Sequence, residues 1–139
     1  MKLLYTAVML TGSLLALPSY AEQPQDFLGH FAAQAKIDNP GFTGFDAGRG
    51  EQFFKQHHKE SDEDWSCSSC HTDSPTAEGK HAVTNKVLQP LAPSANPERF
   101  TKEAKVEKWF KRNCKDVLKR ECTAQEKGDL LTYLMSLGK

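Results

Sequence analysis

The chain has 139 residues, with 18 lysines and arginines, 18 aspartates and glutamates, and a formal net charge of zero. A nucleic-acid-binding domain usually carries a clear positive excess, so this balance argues against a nucleic-acid partner. The length suits a single domain with a thin core, to which a bound cofactor would contribute much of the buried surface.

Residues 1–21 have the pattern of an export signal. Lys2 is followed by an apolar run, which ends in the small-x-small cleavage pattern Ser19-Tyr20-Ala21. Cleavage after Ala21 would remove Lys2 and no acid, leaving 17 basic residues against 18 acidic ones. No later stretch reaches the ~20 apolar residues of a transmembrane helix. We therefore expect an exported, periplasmic bacterial protein with no transmembrane anchor after cleavage.

The exported part is predicted to be all-α, because valine and isoleucine are scarce and the larger apolar residues have helical spacing. Residues 22–44 are predicted to be a lead-in segment with a turn at 38–42, and residues 45–139 to be the domain itself. The first helix is predicted to run from Asp46, a suitable N-cap, to about His58.

The second half of the chain combines a loop with two helices. Residues 74–99 contain four prolines and no sustained periodicity, which predicts a long wrapping loop with no more than one short helix. Helices are predicted near 100–113 and 123–137. Thr123 and Glu126 form a capping box that marks the start of the last helix.

The stretch CSSCH at 67–71 is the Cys-x-x-Cys-His signature of covalent haem attachment. Two thiols one helical turn apart can reach the two vinyl groups of one porphyrin, and the adjacent imidazole can reach the iron. The motif predicts one haem c, bound by Cys67 and Cys70 through thioether bonds and by His71 as the proximal iron ligand.

A Cys-x-x-Cys pair has two other common uses in proteins. A structural zinc site needs four ligands, but the remaining cysteines, Cys114 and Cys122, are eight positions apart with no histidine nearby. A thioredoxin-like pair needs a βαβ context, which an all-α chain lacks. Haem attachment is the interpretation that agrees with both export and helical structure.

The second axial ligand of the iron is not evident from the motif. Electron-carrying cytochromes of class I often place a methionine there, but the only methionine after residue 21 is Met135, inside the last helix. The remaining histidines are His30, His57, His58 and His81. Of these, His81 lies in the predicted wrapping loop and could reach the iron.

Asn113 is another candidate. It follows Val106, Trp109 and Phe110 by seven, four and three residues, so helical periodicity places it on their apolar stripe and predicts that it faces the core. A polar amide in such a position needs a partner. Two interpretations remain open at this point, because the side chain could end the helix or could bind the iron.

The spacing of Cys114 and Cys122 predicts a turn between them. In one continuous helix their Cα atoms would be ~12 Å apart, whereas a disulfide tolerates at most ~7 Å. The capping box at Thr123 independently predicts a new helix. We therefore expect a disulfide across a helix-turn-helix junction.

These stretches resemble the sphaeroides haem protein (SHP) family of monohaem class I cytochromes c. The resemblance covers most of residues 22–139 and is carried by CSSCHT, PLAPSANPERFT, VEKWFKRNC and REC. Gly50, Phe54 and the terminal helix DLLTYLMSLGK also resemble class I cytochromes c, in which N-terminal and C-terminal helices cross around the haem. The glycine there permits close approach to an aromatic residue such as Tyr133.

The resemblance implies that Asn113 is the sixth iron ligand and leaves on reduction, so that oxygen, nitric oxide or carbon monoxide can bind. It also implies a dihaem cytochrome c as redox partner, and in some cases a membrane cytochrome b. Nine lysines and arginines against three acids between Arg99 and Arg120 would suit an acidic partner, although a solvated helix face would look the same.

The expected function is therefore electron transfer with redox-gated binding of a diatomic gas. The alternative is a plain six-coordinate electron shuttle with a histidine such as His81 as sixth ligand. No acid–base group suited to dedicated turnover is evident, so we expect a carrier and gas-binding protein rather than an enzyme, with minor oxygen or nitric oxide turnover left open.

Overall fold

The computed structural model describes residues 22–58 and 64–138, so the predicted export signal at 1–21 lies outside the described residues. The secondary-structure elements are α1 (Pro24–Asp38), α2 (Ala47–Lys55), α3 (Ser68–His71), β1 (Gly79–Lys80), β2 (Val87–Leu88), α4 (Glu103–Leu118) and α5 (Ala124–Ser136). Helices dominate, which confirms the predicted all-α class. Within this described part, no helix has the length and apolarity needed to cross a membrane.

Helix α1 occupies most of the segment that the sequence predicted to be a lead-in. Its buried stripe consists of Phe27, Phe31 and Ala35, which are four residues apart. The helix packs against α5. The ring of Phe31 meets the ring of Phe110 of α4 edge to face, with centroids 5.7 Å apart. The segment is therefore part of the core, and the lead-in prediction missed this helix.

Helices α2 and α5 cross in close contact at Gly50. A Cβ atom on Gly50 would overlap the backbone carbonyl of Asp129 and lie 2.9 Å from the Cβ of Tyr133. The rings of Phe54 and Tyr133 pack beside this crossing, with centroids 5.8 Å apart. The helix crossing that the family resemblance implied is thus present, and only glycine fits at its centre.

A buried carboxylate ties the same two helices together. Asp129 is 4% exposed and accepts hydrogen bonds from the backbone N–H of Asp46 at 2.7 Å and from Nε and Nη2 of Arg49, both at 2.8 Å. These three bonds compensate for removing the charge from water.

The predicted helix starts are confirmed by their caps. Asp46 Oδ1 accepts the backbone N–H of Arg49 at 2.7 Å. Thr123 Oγ1 accepts the N–H of Glu126 at 3.2 Å, and the Glu126 carboxylate accepts the N–H of Thr123 at 2.8 Å. Helix α2 ends at Lys55, three residues earlier than the sequence predicted.

The wrapping loop contains a short β-hairpin, whereas the sequence predicts no more than one short helix there. Strands β1 and β2 pair antiparallel, with Gly79 opposite Leu88. The carbonyl of Pro75 accepts the N–H groups of Leu91 and Ala92 at 2.8 and 2.9 Å, which closes the loop at its base. Backbone pairing inside the loop, rather than helical periodicity, thus satisfies its polar groups.

Cys114 and Cys122 form a disulfide with a Cα separation of 5.6 Å. Helix α4 continues one turn past Cys114 to Leu118, so it is longer than predicted, and Lys119 then ends it in the left-handed conformation, with φ 57°. The chain can therefore return to Cys122, which confirms the predicted turn between the two cysteines.

Removing this disulfide should lower the free energy of unfolding by about 2.5 kcal/mol, because the open form lets the short loop sample more conformations when unfolded. Urea denaturation of the haem-loaded protein should show this loss for Cys114→Ala/Cys122→Ala. Wild type reduced with a thiol reagent is the control and should lose the same amount. An unchanged midpoint in both samples would contradict the prediction.

Candidate functional site

The CSSCH motif forms a single helical turn, α3. The carbonyl of Cys67 accepts the backbone N–H groups of Cys70 at 3.3 Å and of His71 at 3.1 Å. The two thiols and the imidazole therefore come from one turn of chain, which is the arrangement that covalent haem attachment requires.

Two serines hold this turn, and the sequence analysis did not single them out. The N–H of Ser66 donates to Oγ of Ser69 at 3.0 Å, and the N–H of Ser69 donates to Oγ of Ser66 at 3.1 Å. Ser66 is only 2% exposed. The two serines are three residues apart, so these reciprocal bonds form within one turn of the chain.

The hairpin packs against the attachment turn. A Cβ atom on Gly79 would overlap the carbonyl oxygen of Cys70 and lie 3.0 Å from the Cα of His71. The backbone N–H of Ala82 donates to Sγ of Cys70 at 3.2 Å. Gly79 is therefore the residue that lets the hairpin approach the turn, a role that depends on a distant contact and could not be predicted from the sequence.

The surroundings of the motif favour uncharged donors. Burial lowers the pKa of His71 to about 4, with a further contribution from the positive charge of Arg99. Burial also raises the pKa of the Cys67 thiol to about 12. At neutral pH the imidazole is thus neutral and keeps the lone pair that binds a metal.

Arg99 also fixes the end of the wrapping loop, a role that the sequence analysis did not assign. Its Nε donates to the carbonyl of Pro90 at 2.9 Å and its Nη2 to the carbonyl of Gln89 at 2.8 Å. Burial lowers the pKa of Arg99. The same guanidinium therefore holds the loop and lowers the pKa of His71.

The imidazole of His81 is held by the backbone of its own loop. Its Nδ1 accepts the backbone N–H groups of Val83 and Thr84, both at 3.2 Å. His81 also neighbours Ala82, which bonds to Cys70, so it lies on the side of the attachment turn.

The other candidate histidines have defined surroundings as well. Nδ1 of His30 lies 3.6 Å from the Glu103 carboxylate in an exposed pair. Nδ1 of His57 contacts the carbonyl of Asp64 at 2.7 Å. His58 is buried and its ring lies against Phe53, with centroids 5.5 Å apart.

Asn113 lies beside the buried stripe of α4, on the side where Trp109 lies. The buried stripe of α4 consists of Val106, Phe110, Cys114 and Leu118, whereas Asn113 is exposed beside the half-exposed Trp109. Cys114 is buried and disulfide-bonded, and a rotation of ~100° per residue leaves Asn113 at the edge of the buried stripe. Asn113 also lies five positions before the last residue of α4, so it does not cap the helix.

These residues fit a covalently attached haem. Two thiols and one neutral imidazole lie on a single turn, which matches the chemistry of c-type attachment. Gly79 lets the hairpin pack closely against this turn. Within residues 22–58 and 64–138, no group of three or more His, Cys, Asp or Glu side chains could hold a metal ion. Cys114 and Cys122 are bonded to each other, so the zinc alternative has no ligand set there.

Fold and site together define a monohaem c-type cytochrome. A family model described as a domain of unknown function (DUF1924) matches residues 40–134. The cytochrome c-type protein SHP of Cereibacter sphaeroides is 38% identical over 132 residues, which cover 93% of this chain and 97% of that protein. The chain belongs to the SHP family of cytochromes c, which confirms the resemblance noted in its sequence.

Solved structures agree with this assignment. The structure of oxidised SHP, described as an oxygen-binding cytochrome c, has a TM-score of 0.75 and 38% identity, and the match covers 84% of this chain and 99% of that one. The solution structure of Methylophilus methylotrophus cytochrome c'', described with insights into haem-ligand detachment, has a TM-score of 0.75 and 32% identity over 84% and 94% of the two chains.

The protein therefore carries one covalent haem c. Cys67 and Cys70 are the predicted thioether donors and His71 the predicted proximal ligand. The haem supplies an iron that changes between ferric and ferrous states, and the chain supplies its ligands and surroundings.

Proposed function

We propose that this protein is a periplasmic electron-accepting cytochrome c in which reduction opens a binding site for a diatomic gas. Asn113 is the sixth ligand of the ferric iron in this proposal. Its amide leaves the iron on reduction, and oxygen or nitric oxide takes the position that it has left.

The observation that carries the proposal is the position of Asn113 on α4. Its side chain is exposed in the middle of the helix, beside the half-exposed Trp109, where it neither caps the helix nor belongs to the buried stripe. The adjacent Cys114 is buried and disulfide-bonded. The backbone next to Asn113 is thus held while its side chain stays available.

The chemistry of an amide ligand supports a redox switch. A neutral amide oxygen is a hard donor, which suits ferric iron better than ferrous iron. The interaction is weak compared with that of a histidine, so reduction can release it. An anchored helix then limits how far Asn113 moves, which makes the release reversible.

The descriptions of two relatives support the same function. SHP is described as oxygen-binding, and cytochrome c'' is described in terms of haem-ligand detachment. We extend both properties to this chain, together with a dihaem cytochrome c as electron donor and, beyond it, a membrane cytochrome b. The pattern of residues 1–21 supports the periplasmic location.

Reduction of the purified haem protein should convert a low-spin ferric spectrum into a high-spin ferrous one. Carbon monoxide should then bind within the mixing time of a stopped-flow experiment, because no protein ligand has to dissociate first. The ferric protein mixed with carbon monoxide is the control and should not respond. A ferrous form that stays low-spin and ignores carbon monoxide would rule out the proposal.

A further inference from the structure

Thr72, the residue directly after His71, has an unusual backbone conformation. It is the C-cap of α3, with φ 58° and ψ 171°. A positive φ is unfavourable for a β-branched residue, and its combination with an extended ψ is close to a region that only glycine occupies routinely. Lys119 has nearly the same φ but a ψ of 14°, which is the ordinary left-handed conformation. The backbone of Thr72 is therefore strained beyond that of Lys119.

The side chain of Thr72 makes the bonds that hold this conformation. Its Oγ1 donates to the carbonyl of Ser74 at 3.1 Å and accepts the backbone N–H of Ser74 at 3.2 Å. The same carbonyl accepts the N–H of Ala77 at 2.9 Å. Glycine would adopt this backbone conformation with little strain, but it could make neither side-chain bond. Threonine thus combines an unfavourable backbone with a hydroxyl that holds the reversal of the chain.

The chain is also fixed on both sides of Thr72. Before it, the reciprocal bonds of Ser66 and Ser69 hold the start of the attachment turn. After it, the carbonyl of Pro75 is bonded to the base of the wrapping loop, and Gly79 packs against the attachment turn. The strain at Thr72 cannot relax through movement of these neighbours, which is the condition under which a strained residue persists.

The strained residue lies where it can determine the orientation of His71. The two residues share a peptide bond, so the reversal at Thr72 sets the direction of the His71 backbone relative to the loop that follows. Gly79 limits the histidine from the other side, because a Cβ atom there would lie 3.0 Å from the Cα of His71. Strained residues cluster at sites that hold a ligand, where they contribute to pre-organisation.

We propose that Thr72 is a positioning residue for the proximal ligand. Its strained backbone and its two bonds to Ser74 keep the imidazole of His71 in one orientation toward the haem iron. The proposal rests on His71 as proximal ligand and does not require Asn113 to bind the iron or to leave it. Without the Thr72 side chain, the attachment turn and the loop would move relative to each other, and the imidazole would sample several orientations.

The test measures the orientation of this imidazole in the ferric haem protein with cyanide bound. Cyanide is axially symmetric, so the spread among the paramagnetically shifted proton resonances of the four haem ring methyl groups depends on the imidazole of His71. Thr72→Gly should narrow this spread, because an imidazole that samples several orientations averages the shifts. Thr72→Ser keeps the hydroxyl and should keep the wild-type spread. An equally wide spread in Thr72→Gly would overturn the proposal.

Asn85→Gly is the matched control. Asn85 also has a positive φ, of 57°, and lies exposed between the two strands of the hairpin. Both glycine substitutions remove a side chain from a positive-φ position in the same part of the chain, but only Thr72 adjoins His71. The methyl spread of Asn85→Gly should equal that of wild type. Equal narrowing in both glycine variants would overturn the proposal, because flexibility anywhere in the loop would then suffice.

Urea denaturation of the same haem-loaded variants separates positioning from a purely structural role. Thr72→Gly should fold, because glycine adopts the required conformation. A lower denaturation midpoint with an unchanged methyl spread would make Thr72 a structural residue only and would overturn the proposal. Carbon monoxide binding to the reduced wild type tests the gas site separately. A failure of the positioning proposal is thereby distinguished from a failure of the proposed function.

Discussion

Asn113→Ala should abolish the low-spin ferric spectrum and leave carbon monoxide binding to the ferrous protein unchanged within about twofold. The asymmetry follows from the proposed switch, because the amide is bound only in the ferric state. Asn113→His should keep the low-spin ferric spectrum and slow carbon monoxide binding to the ferrous protein, since an imidazole binds both oxidation states. Its ferrous form should bind carbon monoxide at least about tenfold more slowly, limited by dissociation of the histidine.

His81→Ala is the control for the Asn113 variants. Under the proposal it leaves both the ferric spectrum and ferrous carbon monoxide binding as in wild type, because Nδ1 of His81 is occupied by two backbone N–H groups. If His81→Ala removed the low-spin ferric spectrum and Asn113→Ala did not, the protein would be a plain electron shuttle with histidine as sixth ligand.

Gly50→Ala should destabilise the haem protein by about 3 kcal/mol, one of the largest effects expected of a single methyl group. The added Cβ would overlap the backbone carbonyl of Asp129, and a backbone cannot rotate away as a side chain can. Helices α2 and α5 would have to separate, which also strains the bonds between Arg49 and Asp129. Urea denaturation measures the loss.

Gly29→Ala is the matched control for Gly50→Ala. Gly29 lies inside α1, is exposed, and has no atom within 4 Å of the position that a Cβ would take. Alanine there should stabilise the protein by up to about 1 kcal/mol through helix propensity. Similar effects of the two substitutions would show that the close crossing at Gly50 does not limit stability.

The sequence was most informative where structure is decided within one or two turns of chain. The caps at Asp46 and Thr123 depend on residues three positions away, and both helix starts were predicted correctly. The Cys114–Cys122 pair was predicted because helix geometry excludes the alternative. The same local reasoning missed α1, although the spacing of Phe27, Phe31 and Ala35 was visible.

The buried face of α4 could not be predicted by local reasoning of this kind. Periodicity placed Asn113 on the stripe of Val106, Trp109 and Phe110, but two neighbouring stripes of α4 were both compatible with the sequence. The contact of Phe110 with Phe31 of α1 and the disulfide at Cys114 select the stripe that is buried. Phe31 is distant from Asn113 along the chain, so the segment around Asn113 could not by itself predict which stripe is buried.

The sequence by itself determined that the chain is helical, that a haem attachment motif stands at Cys67, Cys70 and His71, and that the chain turns before Cys122. These properties follow from residue spacing and local hydrogen bonding. Only the tertiary structure decided which face of α4 is exposed and which contacts surround the attachment turn. Those depend on packing between segments far apart in sequence, where shape and burial select one arrangement among several that are locally acceptable.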